Sequence, residues 1–156
     1  MTLKELRLKK GLSQEKTSEL CGITRKTYIK YEKNEKDVSP VKLRFYYNAL
    51  EEYGKIDEEH GILSLDQIRE LCHSVFKEYN VEYAFIFGSY AKGIAKVNSD
   101  VDILVSTKTT GLKYFGLIES LRETLHKKVD VLNISQLNNN LVLINEVLKD
   151  GIKIYE

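Results

Sequence analysis

Two short apolar runs, each with a polar motif at one end, constrain this chain more than anything else in it. Tyr83-Ala84-Phe85-Ile86-Phe87 runs directly into Gly88-Ser89, and Asp100-Val101-Asp102 runs directly into Ile103-Leu104-Val105. Apolar runs of this length, bounded by glycine and polar residues, read as two buried strands. Side chains on a strand alternate faces, so Asp100 and Asp102 project from the same face. Two carboxylates that close repel one another, and neither ionises comfortably without a cation beside it. A site made only of carboxylate oxygens suits a hard divalent ion such as Mg²⁺. The Gly88-Ser89 corner can offer backbone N–H groups and a hydroxyl to phosphate. The bland alternative is a β-hairpin with two surface aspartates in its turn. Agreement between two motifs and the apolar runs beside them weighs against it.

Gly-Ser, ten residues, then Asp-x-Asp resembles the signature of the nucleotidyltransferase superfamily that includes DNA polymerase beta. The flanking residues Gly88-Ser89-Tyr90-Ala91-Lys92-Gly93 and Ser99-Asp100-Val101-Asp102-Ile103-Leu104-Val105 narrow the resemblance to the minimal nucleotidyltransferases. That family includes the antitoxin halves of prokaryotic toxin–antitoxin pairs whose toxin is a small helical HEPN-type ribonuclease. The resemblance spans residues 65–156.

Net charge of +1 conceals an asymmetry. Residues 1–50 carry twelve Lys and Arg against six Asp and Glu, whereas residues 51–156 carry twelve against seventeen. A basic module that meets polyanions is thereby joined to an acidic one. With no apolar run near 18 residues and no basic-then-apolar leader, neither a membrane span nor a signal peptide is expected. Cys21 and Cys72 lack metal-type spacing and fall at apolar positions of predicted helices, which suits reduced core thiols in a cytoplasmic protein.

In the basic module, Thr2-x-x-Glu5 reads as a capping box for a helix that stops at Gly11. Ser13 and Thr24 cap a second and a third helix, and Ser39-Pro40 starts a fourth that ends before Gly54. Short helices joined by a tight Gly-containing turn give the helix-turn-helix pattern. The wording resembles the phage-repressor-like helix-turn-helix family at Leu6-Arg7, Lys10-Gly11-Leu12-Ser13-Gln14-Glu15, Gly22-Ile23-Thr24, Thr27-Tyr28, Tyr31-Glu32 and Ser39-Pro40. Thr17 stands where that family has a core Leu, and Asn34 where it has Gly. Tyr28 and Tyr31, one turn apart, face the other helices, which leaves Arg25, Lys26, Ile29, Lys30 and Lys33 opposite. A cationic face behind the Thr24 cap suits a recognition helix in the major groove of double-stranded operator DNA. By resemblance, Gln14 touches backbone phosphate or a base edge. The plainer reading of these lysines is a solvated helix face.

Residues 51–63 are acidic, hold two glycines and lack sustained periodicity. Ser64-x-x-Gln67 is a second capping box, for a helix through Tyr79 with Leu65, Ile68, Leu71, Cys72, Val75 and Phe76 at helical spacing. After the motif strand come a turn over 107–111, a helix from Leu112 to His126 and a strand, Lys128–Asn133. Val129 and Val131 face the core there, so Asp130 faces the other way; an edge-strand charge is its bland reading. A helix over 137–149 and a strand over 152–155 follow. His60, His73 and His126 stand alone and read as surface or structural residues.

The fold expected is α+β in two domains. An all-α helix-turn-helix domain spans 1–54, a linker 55–63, and a small mixed-sheet nucleotidyltransferase domain 64–156. The resemblance implies transfer of AMP from Mg-ATP to a hydroxyl. It implies a metal pair held by Asp100, Asp102 and a third carboxylate, Asp130, and phosphates bound by Gly88, Ser89 and Lys92. It also implies that another protein fills the open side of the sheet: a HEPN-type toxin, modified on a tyrosine. The helix-turn-helix domain would then regulate the operon, as a homo-oligomer or together with the toxin. Two rival readings stand beside this one. The first is a transcriptional regulator whose transferase-like domain only docks or senses; the second is a small-molecule nucleotidyltransferase of the aminoglycoside-modifying kind.

Overall fold

The computed structural model describes residues 1–156 and divides into two compact units, Met1–Lys55 and Ile56–Glu156. The first holds α1 (Leu3–Lys9), α2 (Gln14–Leu20), α3 (Arg25–Lys33) and α4 (Pro40–Glu52). Each start follows from a polar residue with an extended backbone. The Thr2 hydroxyl accepts from the Glu5 N–H at 3.2 Å while the Glu5 carboxylate accepts from the Thr2 N–H at 2.7 Å. Ser13 and Thr24 cap α2 and α3 through the hydroxyl alone, accepting from the N–H of Lys16 and of Thr27, each bond contributing about 1 kcal/mol. Around Tyr28, fully buried, close Leu3, Leu6, Leu12, Tyr46 and Leu50.

Both departures from the repressor-like pattern have a physical resolution. Thr17 is buried and its hydroxyl donates to the Ser13 carbonyl at 2.9 Å, so the polar atom is satisfied within its own helix. Asn34 does not adopt the left-handed backbone its substitution for glycine suggests. Its φ is −142°, and the chain passes directly into a 3-10 turn, Glu35–Asp37.

The second unit is a four-stranded sheet in the order β3-β2-β1-β4, formed by β1 (Val81–Phe87), β2 (Val101–Thr107), β3 (Val129–Asn133) and β4 (Ile152–Tyr155). Only β2 and β3 run parallel, and α7 (Gly111–Leu125) makes the crossover between them. With α5 (Leu65–Glu78), α7 buries one sheet face. Ile68, Cys72 and Phe76 meet Ala84, Ile86 and Ile103, while Leu117, Leu121 and Leu125 close the other side. The alternating residues Phe85, Asp102, Leu104 and Asp130 are left for the opposite face. There α8 (Leu141–Asp150) crosses, lining an apolar cleft with Phe85 and Leu104 through Ile144 and Val147.

Two elements differ from expectation. The Gly-Ser corner opens a short helix that the sequence does not announce, α6 (Gly88–Lys92). The last helix starts at Leu141 rather than near Leu137, because Ile134–Leu137 forms a 3-10 turn and Asn140 supplies the cap. Of the stretch 55–63 expected to join the domains, residues from Ile56 on group with the second unit. Leu63 is buried there and Ile56 rests on the core.

Candidate active site

The two motifs meet at one end of the sheet. Phe87, the last residue of β1, pairs with Asp102 across the antiparallel ladder, and Asp102 pairs with Asp130 across the parallel one. Neighbouring strands lie about 4.8 Å apart, so Asp102 and Asp130 stand side by side on the same face. On Asp102's other flank is Gly88, with φ +68°. A Cβ at Gly88 would overlap Oδ2 of Asp102 where it stands, so any other residue would push that carboxylate aside as well as strain the backbone. Gly88 turns the chain from β1 into α6, whose first turn carries a half-buried Ser89 and whose Tyr90 plugs into the core.

Asp102 is half-buried, and its carboxyl is pushed up to about 6. Loss of water is the main cause, followed by the charges of Asp130, Asp100 and Glu146. Asp100 and Asp130 therefore both crowd it, Asp100 from the end of the motif loop and Asp130 from β3. Glu146, on α8, was not anticipated. Its carboxylate lies 3.2 Å from the Lys92 ammonium, so the lysine expected to meet phosphate is engaged by an acid in this structure. The one signal in the sequence was an isolated acid within the apolar run Leu141–Leu148.

The donor set fits a hard divalent ion. The charged groups that act on Asp102 are all carboxylates, and their mutual repulsion is what a cation would relieve. As they stand, no three His, Cys, Asp or Glu side chains are drawn tightly enough to hold an ion. Asp130 is exposed and Asp100 half-exposed, so both side chains have room to change rotamer.

In the first unit the cationic face of α3 is as expected for Arg25, Lys26, Lys30 and Lys33, all exposed. Ile29 is half-buried, and the Thr24 hydroxyl is committed to its cap and to the Thr27 hydroxyl at 2.8 Å. Gln14 makes a contact within the unit that the sequence does not announce. Its amide donates to Glu32 at 2.6 Å, and Glu32 in turn receives the Nε–H of Arg7 at 2.7 Å. The pair is nearly sealed from water, so Gln14 is held as the third member of a buried network that locks α1 to α3.

Residues 70–156 match the family described as "Polymerase beta, Nucleotidyltransferase", and residues 3–51 match a helix-turn-helix family. MJ1215 of Methanocaldococcus jannaschii, a candidate protein adenylyltransferase, is 40% identical over 75 residues, covering 44% of this chain and 87% of the relative. The protein adenylyltransferase MntA of Thermococcus cleftensis is 35% identical over 87 residues, covering 52% of this chain and 88% of its own. Among solved structures, a candidate minimal nucleotidyltransferase superposes with a TM-score of 0.51 at 28% identity, over 60% of this chain and 98% of that one.

Proposed function

The chain belongs to the polymerase beta nucleotidyltransferase family, and we propose that it transfers AMP from ATP to a hydroxyl on a partner protein. The observation that carries this reading is the register Phe87–Asp102–Asp130, which sets the Gly-Ser turn and two carboxylates in one row. Likeness to two protein adenylyltransferases over most of their length favours a protein acceptor.

In this reading Asp102 and Asp130, with Asp100, hold Mg²⁺. When bound, the ion neutralises charge on the triphosphate and lowers the pKa of the acceptor hydroxyl. The backbone N–H groups at the start of α6 and the Ser89 hydroxyl bind the β- and γ-phosphates, and Lys92, released by Glu146, adds a point charge. The acceptor oxygen attacks the α-phosphorus, the bond to the β-phosphate oxygen breaks, and pyrophosphate leaves. Asp130, the most exposed of the three, takes the acceptor's proton directly or through water. Little covalent chemistry falls to the protein, so positioning and electrostatics account for the rate.

The acceptor proposed is a tyrosine of a small helical HEPN-type ribonuclease toxin, as the antitoxin-like motif implies. An added adenylate would place negative charge where RNA must bind. The exposed cationic face of α3 supports operator binding, through which the chain would regulate its own expression. Co-expression with the protein encoded beside it, followed by mass spectrometry, tests the assignment. An adenylate on a tyrosine supports it; an unmodified but still neutralised partner would show that binding alone suffices.

A further inference from the structure

Lys127 is the one fully buried lysine of the second unit, 2% exposed, and no carboxylate forms an ion pair with it. Its ammonium instead donates to three backbone carbonyls: Val97 at 2.7 Å, Gly61 at 2.7 Å and His60 at 3.3 Å. An ammonium withdrawn from water normally loses its proton or finds a carboxylate. Burial does pull this one below its ordinary pKa, with the more distant Asp57 and Glu58 opposing. An apolar side chain would fill the same space without that cost, but would leave the carbonyls of Val97 and Gly61 without this donor.

The carbonyls are informative because of where they lie. Val97 belongs to the loop over 93–100 that joins α6 to β2 and ends in Asp100. Elsewhere the loop is held by short-range bonds: the Ile94 N–H donates to the Ser89 carbonyl at 3.1 Å and the Ser99 N–H to the Lys96 carbonyl at 3.0 Å. The Ser99 hydroxyl accepts from the Lys96 N–H at 2.8 Å, and the Val101 N–H donates to the Lys128 carbonyl at 2.9 Å. Lys127 itself stands three residues before Asp130. One ammonium thus ties the segment carrying Asp100 to the segment carrying Asp130, and both to the turn at 57–61. Asp100 also borders a polar cavity of about 190 Å³ beside Lys127, into which its side chain has room to swing. Val101, buried and paired with Val129, anchors the far end of the loop, and the Lys127 ammonium holds its middle at Val97.

We infer that Lys127 is a positioning residue, a buried latch that sets the motif loop so that Asp100 closes on the same ion as Asp102 and Asp130. The inference rests on the proposed metal-dependent transfer, but it predicts a property the metal-free protein already has.

The test compares wild type with Lys127→Met in the full-length protein. Hydrogen exchange without metal should accelerate in peptides over 94–101 and 57–62, with β1 and α7 unchanged. Mn²⁺ binding followed by electron paramagnetic resonance should weaken by roughly tenfold or more, the usual effect of losing an orienting partner. If Lys127→Met fails to fold, Lys127→Gln, which keeps a donor without the charge, should show both effects in smaller measure. Unchanged loop exchange in a folded variant overturns the latch. Faster exchange with undiminished Mn²⁺ affinity overturns the positioning role and leaves a merely structural lysine. Wild type that binds no Mn²⁺ removes the proposed function and the positioning role together, whatever the exchange shows.

Discussion

Gly88 and Asp102, fourteen residues apart in the chain, are in contact so close that the glycine has no room for a methyl group. The Gly-Ser turn and the Asp-x-Asp strand are therefore one object. The backbone that would cradle phosphate is placed by the carboxylate that would hold metal. Gly88→Ala should consequently cost far more in rate than in folding. Left-handed backbone costs an alanine about 1–2 kcal/mol. Displacing Asp102 by even an ångström should slow transfer about a hundredfold. Melting curves and initial rates on the same preparation separate the two effects.

Asp102 also makes a pH prediction. Its folded-state pKa, about 6, lies above the ordinary carboxylate value, so ionising it opposes folding. Its stabilising contribution is complete below about pH 4 and is lost as the pH rises through about 6. In EDTA, the wild-type melting temperature should fall relative to Asp102→Asn between about pH 4 and pH 7, and added Mg²⁺ should restore it at the upper end. Parallel pH profiles for the two proteins would show that neither burial nor the neighbouring acids raise the Asp102 carboxyl.

Lys92 and Glu146 form a half-exposed pair, which is worth no more than about 0.5 kcal/mol. Glu146→Gln frees the lysine and removes one of the charges facing Asp102. The apparent KM for ATP should drop about twofold. Lys92→Ala should raise KM instead, with kcat less affected. A rise in KM for Glu146→Gln would mean that the acid, not the lysine, serves the nucleotide.

On α3, Arg25→Ala and Lys30→Ala should each weaken binding to the DNA upstream of the gene and flatten the salt dependence by about one phosphate contact. Gln14→Ala should leave that slope alone and loosen the first unit, since its amide serves Glu32. Fluorescence anisotropy over a salt series reads both. An unaltered slope for Arg25→Ala would remove this helix from the interface.

Much of this arrangement is legible from local chemistry alone. Capping boxes at Thr2 and Ser64 announce helices because the donors they satisfy lie within one turn. The two-residue alternation of Val101, Ile103 and Val105 likewise puts Asp102 on the face away from the core. What was not legible depends on distant segments. A five-residue helix such as α6 is too short to show a hydrophobic period. The Asn138–Asn140 run hides the break before α8, because it suits a turn and a helix cap equally well. Glu146 reaches Asp102 only because α8 folds back over β1, and Gln14 finds Glu32 only when α3 docks. Nothing in the sequence around Lys127 distinguishes it from the other lysines. Only the meeting of three loops shows it to be interior.

The central claim is that the row of acids at the end of β2 and β3 moves the α-phosphate of ATP. Purified protein and its partner should be incubated with ATP labelled at the α- or the γ-phosphate, with Mg²⁺ or with EDTA. The account predicts label on the partner from the α-position only, abolished by EDTA and by Asp102→Asn. Transfer from the γ-position, or α-label undiminished in Asp102→Asn, would contradict it.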